Sequence, residues 1–399
     1  MSTLKVDAIR HNSATSDAIT TATDGTCTAK LTSVGGGQLS NRNIIINGAM
    51  NVAQRGTSST STGYQTVDRW RNQFGGTEEN NTQAQSSLSS SDTPFSFGFR
   101  KSFKVTNGNQ TGGADANNLV YIRHHIEDQN IANSGWNYTS SSSFITLSFW
   151  VRASVAQDYH FHLRTMGNPV QLYPMEMTLS ANTWTKITKT IPGNSNIVFD
   201  NDDTDGMHVN FNLYCGTDYT SSSANNDQWQ AYSGSIFGGK DQTTTWYTTN
   251  DATFEITGVQ LEVGDTATSF EHRSYGDELA RCQRYYHCVY RRGASSDSNV
   301  SIGALGSLYT GNSIYIDMTL PTQMRTTPTI ETPSATNRYN CCPTNCIDFG
   351  NPTLIHGQKN AVTLNATLQS SNTAGRVGNV FAKTANWTEG EKLAFTAEL

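Results

Sequence analysis

A strand, a polar turn and a short helix follow one another between Thr253 and Tyr286, where the sequence reads TFEITGVQLEVGDTATSFEHRSYGDELARCQRYY. The apolar residues of the strand change parity halfway along it, even-numbered at first and odd-numbered later. They are Phe254, Ile256, Val259, Leu261 and Val263. Side chains alternate between the two faces of a strand, so one residue must be absorbed for all of them to face one core. We predict a β-bulge at Thr257 and Gly258, since glycine tolerates the conformation that a bulge requires.

The helix that follows has its own start signal. Ser274 is a good N-cap residue, and Asp277 stands three positions later, where a capping box carries an acidic or amide side chain. Leu279, Cys282 and Tyr286 then recur at the spacing of one helical face. We predict a junction helix over residues 273–287 that ends one β domain and begins another.

Four segments resemble, in order and spacing, a family of bacteriophage tail-fibre and receptor-binding proteins of marine, cyanophage-like phages. The strand and helix described above are similar to the closing signature of that family. NRNIIINGAMNVAQRGTS (41–58) with VDRW (67–70) resembles its opening. FITLSFWVRASV (144–155) resembles its central strand, and LPTQMRTTPTI (320–330) resembles a strand of its C-terminal module.

The resemblance implies a homotrimer that binds a glycan or a protein on the host cell surface. It also implies that an N-terminal arm attaches each subunit to tube or adaptor proteins of the phage tail. The protein would then be assembled in the host cytoplasm and located in the tail of the virion.

The composition argues against several other classes of protein. Hydrophobic residues make up 35% and charged residues 15% of the 399 residues, and the net charge is −6. A net negative charge does not favour binding to nucleic acid. The sequence contains no apolar stretch of about 18 residues, so it predicts no membrane-spanning helix. Seven cysteines at irregular spacing indicate mostly reduced thiols. The low apolar fraction is compatible with burial that partner subunits complete.

Alternation of apolar and polar residues predicts an all-β fold. Ile145, Leu147 and Phe149 share one face of a strand, whereas Trp150 lies on the other face among polar neighbours. Such alternation is typical of antiparallel sheets with one wet face. We predict a jelly-roll β-sandwich over residues 41–272 and a second, smaller β-sandwich module over residues 288–399.

The first 40 residues are small, polar and rich in glycine. Such a segment cannot bury a core alone and is expected to order only against another surface. We interpret residues 1–40 as an extended virion-attachment arm, with a floppy terminus as the alternative. Its candidate contact residues are Leu4, Val6 and Ile9.

One pair of histidines has the spacing of a metal site but the wrong neighbour. His160 and His162 share a strand face, and Arg164 follows on the same face. A guanidinium beside the pair repels a metal cation. We therefore predict a solvated or interfacial stripe.

Two other groups of potential metal ligands are also incomplete. Residues 201–206 partly fit a calcium loop but lack its bidentate glutamate, and they favour a turn between strands. The spacing of Cys341, Cys342 and Cys346 does not match a zinc knuckle, and it favours ordinary thiols. We expect no metal and no cofactor.

Catalytic motifs are not recognisable in the sequence. Glu127 and Asp128 are adjacent, and on a strand they point to opposite faces, so they cannot flank one glycosidic bond. We therefore expect a protein that is not an enzyme.

Aromatic residues in polar loops are the remaining candidates for ligand binding. Sugar rings present C–H faces that stack on aromatic side chains, although the same residues serve equally as loop anchors or subunit contacts. The candidates for glycan contact are Trp136, Tyr138, Trp229, Tyr232, Trp246 and Tyr247. The candidates for contacts between subunits lie on or next to the junction helix: Leu279, Arg281, Arg284, Tyr285 and Tyr286.

These observations together predict a structural virion protein, a tail-fibre subunit that mediates host attachment as a homotrimer through glycan binding. Two alternatives remain open. One is a capsid decoration or head-fibre protein, and the other is a polysaccharide depolymerase.

Overall fold

A computed structural model describes residues 6–10, 12–13, 15, 17–24, 26–29, 41–293, 299–333, 338–383 and 386–399. Strands account for 43% and helices for 7% of the structure, which confirms the all-β prediction. None of the helices in the described ranges is long and apolar enough to cross a membrane.

Two six-stranded antiparallel sheets form the larger β-sandwich. Sheet I has the strand order β14-β11-β10-β13-β8-β5, and sheet II has the order β12-β9-β15-β7-β6-β4. The strands of sheet I are β5 (Trp70–Gly75), β8 (Leu119–Glu127), β10 (Gln157–Thr165), β11 (Gln171–Leu179), β13 (Asp205–Cys215) and β14 (Gln230–Ala231). The strands of sheet II are β4 (Ser58–Ser59), β6 (Thr82–Ser87), β7 (Lys101–Thr106), β9 (Phe144–Ala153), β12 (Thr185–Pro192) and β15 (Thr253–Val263).

The inner faces of these two sheets enclose one apolar core. Phe149 of β9 meets Phe161 of β10 and Phe211 of β13 edge to face, with ring centroids 5.3 and 4.9 Å apart. The predicted inward residues Ile145 and Leu147 are fully buried in the same core. The period-two pattern of the sequence therefore assigned the inner face of β9 correctly.

The predicted bulge is present in β15. Its register against β9 shifts between Thr257 and Gln260, and Gly258 adopts a positive φ of 62°. The apolar residues on both sides of the bulge face the core, with the exception of Val263, which is 40% exposed. The exception lies at the last residue of the strand, where the sheet ends.

Replacing Gly258 with alanine is expected to destabilise the protein by about 1–3 kcal/mol. An alanine at this φ is strained, and its Cβ would lie 2.5 Å from Cζ of Phe99. The shift of the urea unfolding midpoint measures the effect. Gly276→Ala is the matched control, because a Cβ at Gly276 would meet no atom within 4 Å. Equal stability of the two variants would contradict the argument.

Three short helices interrupt the strands: α1 (Asp128–Ala132), α2 (Thr245–Thr248) and α3 (Tyr275–Gln283). The predicted N-cap of α3 is confirmed, since Ser274 Oγ accepts a hydrogen bond from the Asp277 backbone N–H at 3.2 Å. The helix is shorter than predicted, and Tyr285 and Tyr286 follow it.

Two further antiparallel sheets form the C-terminal part. Sheet III has the order β16-β25-β19, with β16 (Tyr286–Arg291), β19 (Thr329–Glu331) and β25 (Lys392–Thr396). Sheet IV has the order β21-β20-β24-β17-β18-β23-β22. Its strands are β17 (Val300–Thr310), β18 (Ser313–Thr319), β20 (Tyr339–Cys342), β21 (Ile347–Phe349), β22 (Thr353–Gly357), β23 (Ala361–Thr367) and β24 (Val377–Ala382). A second apolar core lies between these sheets.

A cluster of charged and aromatic side chains, here called the junction cluster, joins the two parts: Arg55, Arg69, Tyr285, Tyr286 and Glu398. Glu398 forms ion pairs with both arginines. Each guanidinium also lies 3.5 Å from the centroid of a tyrosine ring, Arg55 over Tyr286 and Arg69 over Tyr285. All five side chains therefore have interaction partners within the same chain.

The junction cluster corrects two of the predicted subunit contacts, Tyr285 and Tyr286. Tyr285 and Tyr286 are buried inside the chain. Arg284 pairs with buried Glu127, and half-buried Arg281 donates to the Asn41 side chain at 2.9 Å. Leu279 packs against an apolar cluster beneath the helix. Leu279, Arg281 and Arg284 are half-buried, and their contact with another subunit stays a prediction. The segment from α3 to Tyr286 holds the two parts of one chain together, because Cys282, Tyr285 and Tyr286 face inward.

One cysteine prediction is wrong. Cys342 and Cys346 form a disulfide, with Cα atoms 4.0 Å apart. Cys341 is a free, buried thiol, as predicted. The pairing was not foreseen because it depends on the path of the chain between β20 and β21.

The N-terminal segment contains a small antiparallel sheet of β1 (Ala8–Ile9), β2 (Ile19–Thr21) and β3 (Cys27–Ala29). Val6 and Ile9 are 41% and 52% exposed, whereas Leu4 lies outside the described residues. Their role in virion attachment stays a prediction.

Candidate functional site: an aromatic groove on sheet II

A groove of about 420 Å³ runs along the outer face of sheet II. Aromatic rings line it on strand β9, on the segment before β7 and on the segment after β15: Phe97, Phe99, Trp150, Phe270 and His272. Hydroxyl and ammonium groups complete the lining at Ser148, Lys186, Thr268 and Ser269.

Strand alternation places the central ring. Phe149 and Val151 point into the core, so Trp150 between them must point outward into the groove. The Phe97 ring faces it across the groove, with the two centroids 5.2 Å apart and tilted by 40°. Phe97 is 57% exposed and Trp150 only 9%, so the pair offers one open and one recessed aromatic surface.

A short 3-10 turn positions Phe97. The turn spans Thr93–Phe97, and Gly98 ends it with a φ of 94°. His272 locks the turn from the other side, since its Nε2 lies 2.9 Å from the Phe97 carbonyl oxygen. The position of the exposed ring is therefore fixed by backbone contacts rather than by an apolar core.

The β15 bulge forms the floor of the groove. Phe99 lies directly over Gly258, where there is no room for a Cβ. Phe270 contacts Phe99 edge to face at 4.9 Å, and His272 lies 5.1 Å from the same ring. The bulge at Gly258 therefore both corrects the register of β15 and leaves the space in which the rings of Phe99, Phe270 and His272 pack.

Polar side chains at the rim are held in place by buried carboxylates. Glu262 Oε2 accepts a hydrogen bond from Thr268 Oγ1 at 2.6 Å, and its Oε1 accepts from the Thr268 backbone N–H at 2.9 Å. Lys186 is exposed beside the groove. A ring with one apolar face and several hydroxyl groups matches this combination of aromatic platform and polar rim.

The groove has no acidic side chain in its lining, neither aspartate nor glutamate. Glycoside cleavage commonly uses two carboxyl groups about 5–10 Å apart, so the groove lacks the groups for that reaction.

Three of the predicted glycan contacts are wrong. Trp136, Trp246 and Tyr247 are at most 3% exposed and belong to the core of the large sandwich. Trp246, for example, donates its indole N–H to the Thr253 carbonyl at 3.2 Å. These aromatic residues anchor their segments to the core and are not available to a ligand.

The other three candidates are half-buried and lie outside the groove. Tyr138 packs edge to face against Phe199, and Trp229 donates its indole N–H to the Pro192 carbonyl at 2.7 Å. Tyr232 lies 4.7 Å from the guanidinium carbon of Arg164. Their contact with glycan stays a prediction.

The groove residues were missed because they are far apart in sequence. One signal was available: Trp150 is a large aromatic residue on the otherwise polar face of β9. The alternating Phe95, Phe97 and Phe99 before β7 was a second. Neither predicts a groove without the fold that brings them together.

The histidines of sheet I do not form the solvated or interfacial stripe that was predicted. His160 is 4% exposed and His162 is fully buried. The loop around Phe237 covers them, and the Phe237 ring lies edge to face 5.3 Å from His162. The predicted turn before β13 is confirmed, since Asp202 Oδ1 accepts a hydrogen bond from the Thr204 backbone N–H at 2.9 Å.

A larger cleft of about 710 Å³ lies beside α3, but its chemistry is less suited to a ligand. No phenylalanine, tyrosine or tryptophan lines it. Arg273 in its wall already pairs with Glu271 at 3.1 Å and with Glu278 at 3.5 Å. These pairs fasten α3 to the sandwich.

Comparison with known proteins gives no match to a protein-family model and none to a curated protein. Among solved structures, the enzymatically active domain of tailspike protein 4 of bacteriophage CBA120 is 11% identical, with a TM-score of 0.30. The match covers 59% of this chain and 24% of that one. This chain thus spans about a quarter of the length of that tailspike domain.

Two sugar-binding structures are similar at the same level. A putative sugar-binding protein from Bacteroides thetaiotaomicron is 9% identical with a TM-score of 0.31, over 56% of this chain and all of that one. A xylan-binding domain from Paenibacillus barcinonensis is 8% identical with a TM-score of 0.25, over 53% of this chain and 94% of that one. These values are too low to assign a family or a function.

Proposed function

We propose that this chain is a non-enzymatic virion protein, a tail-fibre subunit that attaches the particle to a glycan on the host cell. The exposed Phe97 ring opposite Trp150 is the observation that supports glycan binding most directly. An exposed, backbone-fixed aromatic ring does nothing for the core, and it suits a ligand that has an apolar face.

Binding strength in this proposal comes from repetition rather than from one tight site. A half-open groove of this size covers one or two sugar rings, and a single such contact is weak. A homotrimer would present three copies, and simultaneous engagement raises the overall affinity by roughly 10²–10⁴-fold. Weak single sites and firm attachment are then compatible.

Replacing Phe97 with alanine is expected to weaken glycan binding at least about 10-fold, because one of the two stacking surfaces is lost. Binding is measured on an array of bacterial surface polysaccharides and confirmed by titration calorimetry with the best ligand. The fold should be unchanged, since Phe97 is 57% exposed.

Tyr275→Ala is the matched control, because Tyr275 is 60% exposed on α3 and lies outside the groove. Loss of binding in the Phe97 variant alone places the sugar in the groove. Equal binding by both variants would move the site elsewhere, and the absence of any bound glycan would overturn the proposed receptor class.

Trimer formation and attachment to the tail belong to the proposal as well. Because Leu279 lies against the apolar cluster under α3, a Leu279→Asp variant tests the junction and not the oligomer. Mass photometry of the full chain tests the trimer directly. Deleting residues 1–40 and testing incorporation into particles tests the arm, and the location of the bound arm distinguishes a tail fibre from a capsid fibre.

A further inference from the structure

The outer face of sheet I carries an unusual row of cationic side chains. Cross-strand register places Arg71 of β5 opposite Arg123 of β8, and Arg123 opposite Asn210 of β13. The adjacent row contains Arg164 of β10 opposite His208. Directly paired residues on one face lie about 5 Å apart, so Arg71 and Arg123 are close neighbours, and Arg164 lies on the same face with strand β13 between it and Arg123.

These arginines have no carboxylate of their own. Among the described residues, none of Arg71, Arg123 and Arg164 forms an ion pair. The nearby carboxylate is Asp205, and it is already occupied by two histidines. His125 Nδ1 lies 2.9 Å from Asp205 Oδ2, and His208 Nε2 bonds to the same oxygen.

The arginines are also partly removed from water. Arg123 is 7% exposed, and only part of Arg71 and Arg164 reaches solvent. Burial, with a further contribution from Arg164 and Arg71, lowers the pKa of Arg123 to about 10. Desolvated cations without a counter-ion cost free energy, so a bound anion would stabilise this arrangement.

Aromatic rings hold the guanidinium groups in fixed positions. Arg123 lies 4.6 Å from the centroid of Tyr121, and Arg164 lies 4.7 Å from that of Tyr232. Arg123 Nε donates to Asn210 Oδ1 at 2.5 Å. These contacts fix the direction of each guanidinium before any ligand arrives, which lowers the cost of binding.

Buried polar atoms around the row lack partners within the described part of the chain. The donors among them are Nε of Arg71, Nε of Arg164 and the hydroxyl of Tyr64. Asp205 Oδ1 and Nε2 of His125 are unpaired acceptors, since the neutral His125 ring donates through Nδ1 to Asp205. His125 itself is only 4% exposed. Buried donors are normally satisfied, so the two unpaired guanidinium N–H groups and the tyrosine hydroxyl favour a missing ligand that accepts hydrogen bonds, and a hydroxyl group on that ligand would serve the unpaired acceptors.

A metal ion is the less suitable ligand here. The ligand atoms of His125, Asp205 and His208 do lie within 4.8 Å of one another. However, Arg164 Nη2 lies 2.9 Å from His208 Nδ1, so the guanidinium donates to the very ring that would bind the metal. A cation bound there would meet that guanidinium, and two others lie in the adjacent row.

We propose that Arg71, Arg123 and Arg164 form a binding site for an oxyanion, namely the carboxylate or sulfate substituent of an acidic glycan. Guanidinium forks bind both groups through paired N–H donors. The site is on sheet I, whereas the aromatic groove is on sheet II. The oxyanion site itself is independent of the proposed function, and only its source, an acidic glycan, rests on it.

The test is thermal unfolding of the full chain in millimolar sodium sulfate or sodium glucuronate, with sodium chloride at equal ionic strength as the reference. A specific site gives a rise of about 2–4 °C in the melting temperature that saturates in the millimolar range. General stabilisation by sulfate does not saturate there. Saturation with either anion supports the proposal and identifies the substituent, and no saturable rise with either anion overturns it.

Variants decide whether the arginines are responsible. Arg71→Gln and Arg164→Gln should each reduce the saturable rise by at least half. Their melting temperatures without the anion should be unchanged or higher, because one repelling charge is gone. A full rise in both variants would overturn the assignment. Phe97→Ala, which disrupts the aromatic groove, should show the full anion-dependent rise in melting temperature. The proposal of glycan binding in the groove and the proposal of an oxyanion site can therefore fail independently.

Discussion

Replacing Glu398 with glutamine is expected to lower the free energy of unfolding by about 3–5 kcal/mol. The side chains of Arg55 and Arg69 are only 5% and 1% exposed, and Glu398 is an ion-pair partner of both. Burial acts to lower the pKa of Arg69, but Glu398 and smaller contributions from Tyr285 and Tyr64 together outweigh this effect, and the pKa is raised. Removing one partner of a buried pair leaves an uncompensated charge, which is the costly outcome.

The effect is measured as the shift of the urea unfolding midpoint, with far-ultraviolet circular dichroism as the signal. Glu389→Gln is the matched control, since Glu389 is exposed near the same end of the chain. That variant should stay within about 0.5 kcal/mol of the native protein. A loss below about 1 kcal/mol for Glu398→Gln would mean that water replaces the carboxylate and that the junction is looser than the structure shows.

Acidification is expected to cause the second large loss of stability. Five of the nine histidines are at most 4% exposed: His124, His125, His160, His162 and His208. Burial lowers the pKa of each of them, to about 4 for His125. The folded protein therefore holds them neutral in a pH range where the unfolded chain binds protons.

The sign follows from this difference. Below the unfolded pKa of about 6.5 the unfolded state takes up more protons, so stability falls as the pH falls towards the folded pKa values. Each fully buried histidine contributes about 1.4 kcal/mol per pH unit in that window. Asp68 acts in the opposite direction, because burial raises its pKa to about 6. The net loss between pH 7.5 and 5.5 is then roughly 5 kcal/mol.

Urea unfolding at a series of pH values measures this slope. His162→Asn should lower the slope of unfolding free energy against pH by the contribution of one histidine, about 1.4 kcal/mol per pH unit, because His162 is fully buried. The exposed His356 provides the control variant, His356→Gln, with which the slope of His162→Asn is compared. A flat profile from pH 7.5 to 5.5 in the native protein would show that these histidines are hydrated.

Local features of the fold followed from neighbouring residues alone. The parity change around Gly258 predicted the bulge, and Ser274 with Asp277 predicted the start of α3. The inward stripe of β9 was assigned from period-two alternation. Each of these features depends on backbone geometry over fewer than about ten residues, so the local order of residues is enough to predict it.

Apart from the Cys342–Cys346 disulfide, the predictions that failed concerned the exposure of side chains. Trp136, Trp246 and Tyr247 stand in polar segments yet lie in the core, and His160 lies beneath a covering loop. Tyr285 and Tyr286 contact arginines from the other end of the chain. A polar segment can carry one buried side chain, so local composition does not reveal which residues other parts of the chain cover.

By itself, then, the sequence determined the all-β class, the inner faces of the strands and the cap of the helix. The tertiary structure alone decided that Phe97, Trp150 and Phe270 share one groove and that Arg71, Arg123 and Arg164 share one face. The physical reason is that side-chain direction along a strand is a local property. Which strands become neighbours depends instead on the packing of the whole chain.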